Sequence, residues 1–380
     1  MRPRISLPTI ALVLPTLVAS PGPVAGQASD ALYTRFNAVT GWELRGYSFD
    51  SGLAIKAASQ WNVPVVVAAP LGRKLAVDLT THYVSGHIEP SSGAAETLSG
   101  FTDTQVRILY TVNRDRLVGT LSFNLPTGMH TVSTSQFQVA AAVGSNYLSF
   151  PVWSFGTAVG VTGGVAYARR VGSWGVGVSG SLRYLGSYEP FTNDTLSYKP
   201  GLESRIRAGA DRVIGRASRL VLGLTVSSFS TDVYSGSSAL VPGRYSPGTR
   251  FIGELSFIRV VGRSTLTFSA WDYYRLTGTS NVGPVATTKE NVFDGQLRLT
   301  YPVAPRLQLE PMVGFRQWSP EDYRGGRLRS GGLLARVGLT DRLSATVSGR
   351  YDGGWIFVRG LGSQTSLTGY GGSVLLRFER

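Results

Sequence analysis

Three histidines, His82, His87 and His130, are the only imidazoles in the chain, and there is no cysteine. Hydrolysis through an activated serine needs a histidine beside the nucleophile and a third group that orients it. An aspartyl-type mechanism needs carboxylates paired next to a histidine. Neither pattern is present. His82 shares a polar parity with Asp78 and Thr80, His87 follows Gly86 in SGHIEPSSG, and His130 sits in an apolar stretch. No close carboxylate pair accompanies any of them, and no ligand cluster suits a metal. The glycines at 160, 163, 164, 175, 177 and 180 lack the lysine and following helix of a phosphate loop. The residues predict no enzyme, no metal and no cofactor.

The charged residues carry a different chemistry. On one parity of a series of alternating segments stand the acids Asp78, Asp103, Glu203, Asp211, Glu254, Asp294, Glu310 and Asp352. The bases Arg107, Arg183, Arg205, Arg207, Arg298, Arg316, Arg336 and Arg350 share that parity. Eight of each sign leave no net field, so the set predicts a salt-bridge network that stiffens an interior, or a polar track for a solute.

The alternation says what must position these groups. WGVGVSGSLRYLGSY sends Trp174, Val176, Val178, Leu182, Tyr184 and Tyr188 one way and Arg183 the other. NVFDGQLRLTY separates Phe293, Leu297, Leu299 and Tyr301 from Asp294, Gln296 and Arg298. RLSATVSGRYD separates Leu343, Ala345, Val347 and Tyr351 from Arg350 and Asp352. Period two is the signature of a strand. Tight turns fall near Gly72–Lys74, Asn113–Arg116, Val171–Ser173, Ile214–Ser218, Val261–Ser264, Val303–Arg306 and Thr340–Arg342, and longer polar loops separate the hairpins. Strands of about ten residues match the span of a tilted strand across hydrocarbon, whereas sandwich strands average about five or six.

Composition decides which face is inside. Glycine is common (47 residues), charge is sparse (16%), and there are 17 Tyr, 16 Phe and 7 Trp. Residues 1–28 (MRPRISLPTIALVLPTLVAS, then PVAGQA) read as a secretory signal, with Arg2 and Arg4 before an apolar segment too short and Pro-broken to anchor. In an exported chain of this pattern the greasy parity turns to lipid and the sheet must close, because every backbone group in hydrocarbon needs a partner. The soluble alternatives are a sandwich, a propeller or a β-helix. The aromatics Trp61, Trp153, Trp174, Tyr184, Tyr188, Trp271, Tyr274, Trp318 and Tyr351 are expected as interfacial girdles. The formal charge of +14 is dispersed singly, which argues against nucleic acid.

The fold class is therefore all-β: a closed antiparallel transmembrane barrel of about sixteen strands, or fourteen, with short periplasmic turns and longer extracellular loops. It occupies 29–380 as one domain. Residues 29–60 form a plug or the first strand, with Ala38–Phe49 the candidate that makes the count even.

On these residues the chain resembles the Gram-negative outer-membrane β-barrel superfamily. Tyr370, Val374, Leu376 and Phe378 look like its C-terminal assembly signal, although Glu379 and Arg380 follow the aromatic. The resemblance implies outer-membrane lipid, lipopolysaccharide, the barrel-assembly machinery and a small-molecule solute as partners. Among such barrels it is most similar to channels for fatty acids and aromatic hydrocarbons, and next to porins; the asparagine-proline-alanine hatch of the former is missing near FNAVTG. Residues 125–150 (LPTGMHTVSTSQFQVAAAVGSNYLSF) join strands five and six, the place of a porin's constriction. They hold no acid but offer Phe137, Tyr147 and Phe150, so an apolar constriction for hydrophobic solutes is expected. The alternatives are a loop on the rim, a porin for hydrophilic solutes, and a structural or adhesive barrel with a blocked lumen.

Overall fold

The computed structural model describes residues 35–112, 116–192, 194–236, 243–281, 288–321, 325–358 and 363–380. The signal segment 1–28 and most of the turn at Asn113 lie outside them. The strands are β1 (Asn37–Phe49), β2 (Ile55–Pro70), β3 (Leu75–Pro90), β4 in two segments (Glu96–Phe101 and Thr104–Val112), β5 (Leu117–Leu125), β6 (Gly160–Val171), β7 (Trp174–Leu185) and β8 (Glu203–Ile214). They continue as β9 (Ser218–Phe229), β10 (Arg250–Val261), β11 (Ser264–Arg275), β12 (Glu290–Ala304), β13 (Leu307–Pro320), β14 (Gly326–Gly338), β15 (Leu343–Val358) and β16 (Ser363–Glu379). One helix, α1 (Thr134–Val143), lies between β5 and β6.

Each strand pairs antiparallel with its neighbour in sequence. β1 pairs with β16 from Asn37–Glu379 to Phe49–Leu367, which closes the hoop at sixteen staves. Ala38–Phe49 is thus a wall strand, not a plug. Both segments of β4 pair with β3, the break falling at Thr102 and Asp103. Closure removes every open edge, as a barrel in hydrocarbon requires. The chain enters β1 and leaves β16 at the end with the tight turns; there Gly172, Gly215 and Gly262 take φ of 58°, 62° and 61°, a left-handed conformation glycine adopts without steric cost. The long connections gather at the other end. Over it, short strands Ser197–Lys199, Asp232–Ser235, Gly243–Ser246 and Thr279–Ser280 form a second, small sheet.

The pleat sorts the side chains. Val178, Leu182, Tyr184, Leu222, Leu224, Leu297, Val313, Val347, Tyr351, Val374 and Leu376 are exposed on the outside. Arg183, Glu203, Asp352 and Arg350 take the opposite parity and pair with one another inside. No helix among the described residues is long and apolar enough to cross a membrane; the continuous apolar belt is carried by strands.

The closing seam has its own device. Gly46 lies opposite Tyr370 and Tyr47 opposite Gly369. The Tyr370 ring covers Gly46 on the outer face, where a Cβ would fall 2.6 Å from the ring. Tyr47 covers Gly369 on the inner face, again at 2.6 Å. Each tyrosine restores the contact its glycine lacks.

Candidate functional site

The connection between β5 and β6 folds into the lumen. Ser133 caps α1: its hydroxyl accepts from Gln136 N while the Gln136 side chain accepts from Ser133 N. Val139 and Val143, one turn apart, are buried against Gly86 of β3, where an added Cβ would lie 3.0 Å from Val139 and 3.3 Å from Val143. Beyond the helix, Tyr147, Leu148, Phe150, Val152 and Phe155 complete a core with Tyr47, Ala58, Val84, Ile88, Leu98, Leu328 and Leu367 of the wall. The segment is therefore glued to β1–β4 and to β14 and β16.

Polar ties fix its position. Gln60 of β2 donates to Val152 O at 2.7 Å and accepts from Val152 N at 2.9 Å. The Tyr147 hydroxyl donates to Trp355 O at 2.8 Å, and its ring stacks on Trp318 at 5.5 Å. Asn146 donates to Glu290, which also accepts from Trp318. At the base of the loop the Asp103 carboxylate accepts from Asn124 Nδ2, Gly128 N, Thr157 N and Thr157 Oγ1 at 2.7, 3.2, 2.7 and 2.8 Å. Taking such a carboxylate partly out of water is tolerable because each of its oxygens is matched with donors.

The predicted lumen charges sort into pairs. Arg107 meets Asp78 at 2.8 Å, Arg316 meets Asp294 at 2.8 Å, and Arg207 meets Glu254 at 2.6 Å. Arg205 and Arg183 share Glu203 at 2.6 and 3.8 Å; Arg298 and Arg336 flank Glu310 at 3.6 and 3.9 Å. Arg350 shares Asp352 with Arg45, at 2.8 and 2.7 Å. Asp103, placed among the ionic residues by its parity, is instead the latch of the loop. Arg45, Arg275 and Glu290 also belong to the interior. Arg45 was legible, since it alternates with Glu43 and Tyr47 in the strand already read at Ala38–Phe49.

Two groups of expectations change. Tyr147 and Phe150, expected to line an apolar constriction, are 2% and 1% exposed and face the wall; Phe137 is 49% exposed, its ring 5.5 Å from Phe191. Several expected girdle aromatics are interior. Trp271 lies opposite Glu254 with Arg316 5.4 Å from its ring, Trp153 donates to Phe150 O, and Trp318 bonds Glu290. Tyr188 belongs to the mouth, where it bridges Tyr198. Trp61, Trp174, Tyr184, Tyr274 and Tyr351 stay on the outside parity. At the C-terminus, Tyr370, Val374, Leu376 and Phe378 form one outward row. The histidines scatter: His82 is on the inner parity of β3, His87 bonds Thr97 on the outer parity, and His130 packs near Tyr188 at 6.4 Å. Among the described residues no group of three His, Asp or Glu could hold a metal ion.

A hollow in the upper wall beside the loop's base is lined by Gln105, Asn124, Thr162, Ser181, Arg183, Glu203 and Arg205. On its unburied face α1 exposes Thr134, Phe137, Gln138 and Ala141.

No protein-family profile matches the chain, and no curated protein is similar to it. Among solved structures it is similar in outline to a bacterial polysaccharide outer-membrane secretin (8% identity, TM-score 0.46, covering 90% of this chain and 98% of that one). It is similar also to an anion-selective porin from Comamonas acidovorans (11%, 0.40, 91% and 98%). A third is the outer-membrane channel DcaP of Acinetobacter baumannii (11%, 0.40, 90% and 97%).

Proposed function

We propose that this barrel is a passive channel of the bacterial outer membrane for small hydrophilic solutes. The apolar outer belt, the closed hoop and the start of β1 and end of β16 at the tight-turn end support the location. One observation carries the choice of solute. The loop spends its apolar side chains on the wall, and the hollow beside its base is bordered by arginines, a carboxylate, hydroxyls and amides. An ion or sugar there exchanges hydration for protein partners instead of losing it. The reading of a hydrophobic-solute channel rested on Phe137, Tyr147 and Phe150 in a segment without acid; of these three only Phe137 stays exposed. Driving force comes from the solute gradient, and no step needs a cofactor.

Reconstitution in planar bilayers tests the proposal. A steady ohmic current, with liposome swelling in small sugars, is expected. Neither current nor swelling would make the loop a seal and the barrel a structural one.

A further inference from the structure

The upper lumen carries more cation than its ion pairs consume. Glu203 lies opposite Arg183, and Arg205, Ser227 and Arg250 form one cross-strand row beside it. Glu203 binds Arg205 at 2.6 Å but Arg183 only at 3.8 Å. Arg250 forms no ion pair with any described carboxylate; it lies 4.5 Å from the Phe229 ring, and its buried Nε has no acceptor. The other nearby acid, Asp103, has its oxygens filled by four donors from the loop and β5. Two guanidiniums are thus left with unspent donors on one side of the mouth.

Above them stands a row of rings. Tyr188 pairs with Tyr198 and Tyr198 with Tyr234 across the small sheet, so the three share one face. Tyr188 meets Tyr198 edge-on at 5.5 Å, and Tyr198 stacks on Tyr234 at 4.7 Å. The Tyr198 hydroxyl donates to Asp232, and Gly201 N donates to the same carboxylate, which ties the row to the rim. The chain then runs straight from Tyr198 into Glu203, while Tyr234 follows Phe229. β7 carries Arg183 and leads on to Tyr188, while β8 is entered from Tyr198 and sets Glu203 opposite Arg183, so the row rises from the same strand ends as the arginines.

We infer that this corner is a capture site for small aromatic carboxylates, with the ring against Tyr188 and Tyr198 and the carboxylate on Arg183 and Arg250. A carboxylate matches the planar donor fork of a guanidinium, and an aromatic ring finds edge and face partners in the tyrosine row. Neither half alone would discriminate: chloride satisfies the arginines, and a neutral ring satisfies the tyrosines. The inference deepens the channel proposal and rests on it for its role in uptake.

The test uses the full barrel in planar bilayers with benzoate or acetate added to the side of the long loops. Benzoate is expected to reduce the current at about tenfold lower concentration than acetate. Arg183→Gln with Arg250→Gln should raise the benzoate requirement at least tenfold, and Tyr188→Leu should remove the preference over acetate while leaving acetate unchanged. Gel mobility of the folded, unheated barrel checks that each variant is assembled. Equal potency of benzoate and acetate, or block unaltered by the double arginine change, overturns the inference. A barrel that passes no current defeats the channel proposal instead; benzoate binding to the detergent-solubilised barrel, with the same variants, then still decides whether the site exists.

Discussion

Gln60 and Val152 form a two-bond ring between the wall and the loop packed on it: the side-chain amide of a wall strand pairs with both main-chain groups of one loop residue, at 2.7 and 2.9 Å. Both partners are buried. The contact imitates a rung of β-ladder without a second strand. Gln60→Leu leaves the Val152 N–H and C=O without partners, a cost of about 1–3 kcal/mol. Lower resistance to urea and a noisier open-channel current are expected in Q60L, measured by unfolding in micelles and by single-channel recording. A quiet current of unchanged size would show that the apolar core alone holds the loop.

Gly86 supplies the space in which α1 lies. A valine there must displace Val139, Val143 or Phe155, which sit 3.0–3.3 Å from the position of its first carbon. Overpacking of this kind costs about 1–3 kcal/mol. Gly86→Val should push the helix into the free half of the lumen and reduce conductance while the barrel still assembles. Larger conductance would mean that the helix lies outside the conduction path.

Asp352 is fully buried and receives both Arg45 and Arg350. Removing the carboxylate strands two guanidiniums in one place, and breaking a buried pair costs about 3–5 kcal/mol. Asp352→Ala should sharply lower the temperature at which the folded band is lost on gels. Arg350→Gln should cost much less, because Arg45 keeps its partner. Equal losses in the two variants would count against the shared-carboxylate account.

Asp103 holds both feet of the loop, Gly128 and Thr157. Charge-assisted bonds are about twice as strong as neutral ones, so Asp103→Asn is expected to loosen the loop and Asp103→Ala to release its base. Protease cleavage between residues 125 and 160, absent in the parent and graded across the two variants, is the readout.

At the rim, the main-chain N–H of Lys289 holds the Glu321 carboxyl below the usual carboxylate range. A depressed folded value means that the contact contributes above the unfolded value and is lost as pH falls through the folded one. Acidification below the ordinary carboxylate range should therefore weaken the tie between the connection after β11 and that after β13, leaving the main-chain bond from Glu321 N to Lys289 O. Glu321→Gln should remove the pH dependence, as seen in the chemical shift of the Lys289 amide.

Much of the hoop was legible because a strand's period is two and the environment on each side is uniform. Arg183, Arg298 and Arg350 betray their direction by their neighbours alone. The even count followed from closure, and Ala38–Phe49 answered it as β1. The loop was legible in place but not in orientation. Phe150, Tyr147 and Val139 look alike in sequence whether they face a passage or a wall, and only Gly86 and Gln60, far away in the chain, decide between them. The tryptophans misled for a related reason. Trp271 and Trp318 belong to the inner parity, yet their size suggests an interface until Arg316 and Glu290 are seen beside them.

The paired tyrosines and glycines where first and last staves meet have one more consequence. A hoop's two margins could slide past each other and still satisfy most of their main-chain bonds. Here a slip by one position would drive Tyr370 and Tyr47 each off its bare spot and onto the wrong side of the cylinder. The two rings act as alignment pins, so circumference and tilt are settled at the moment of final zipping, by residues that arrive from opposite ends of the polypeptide.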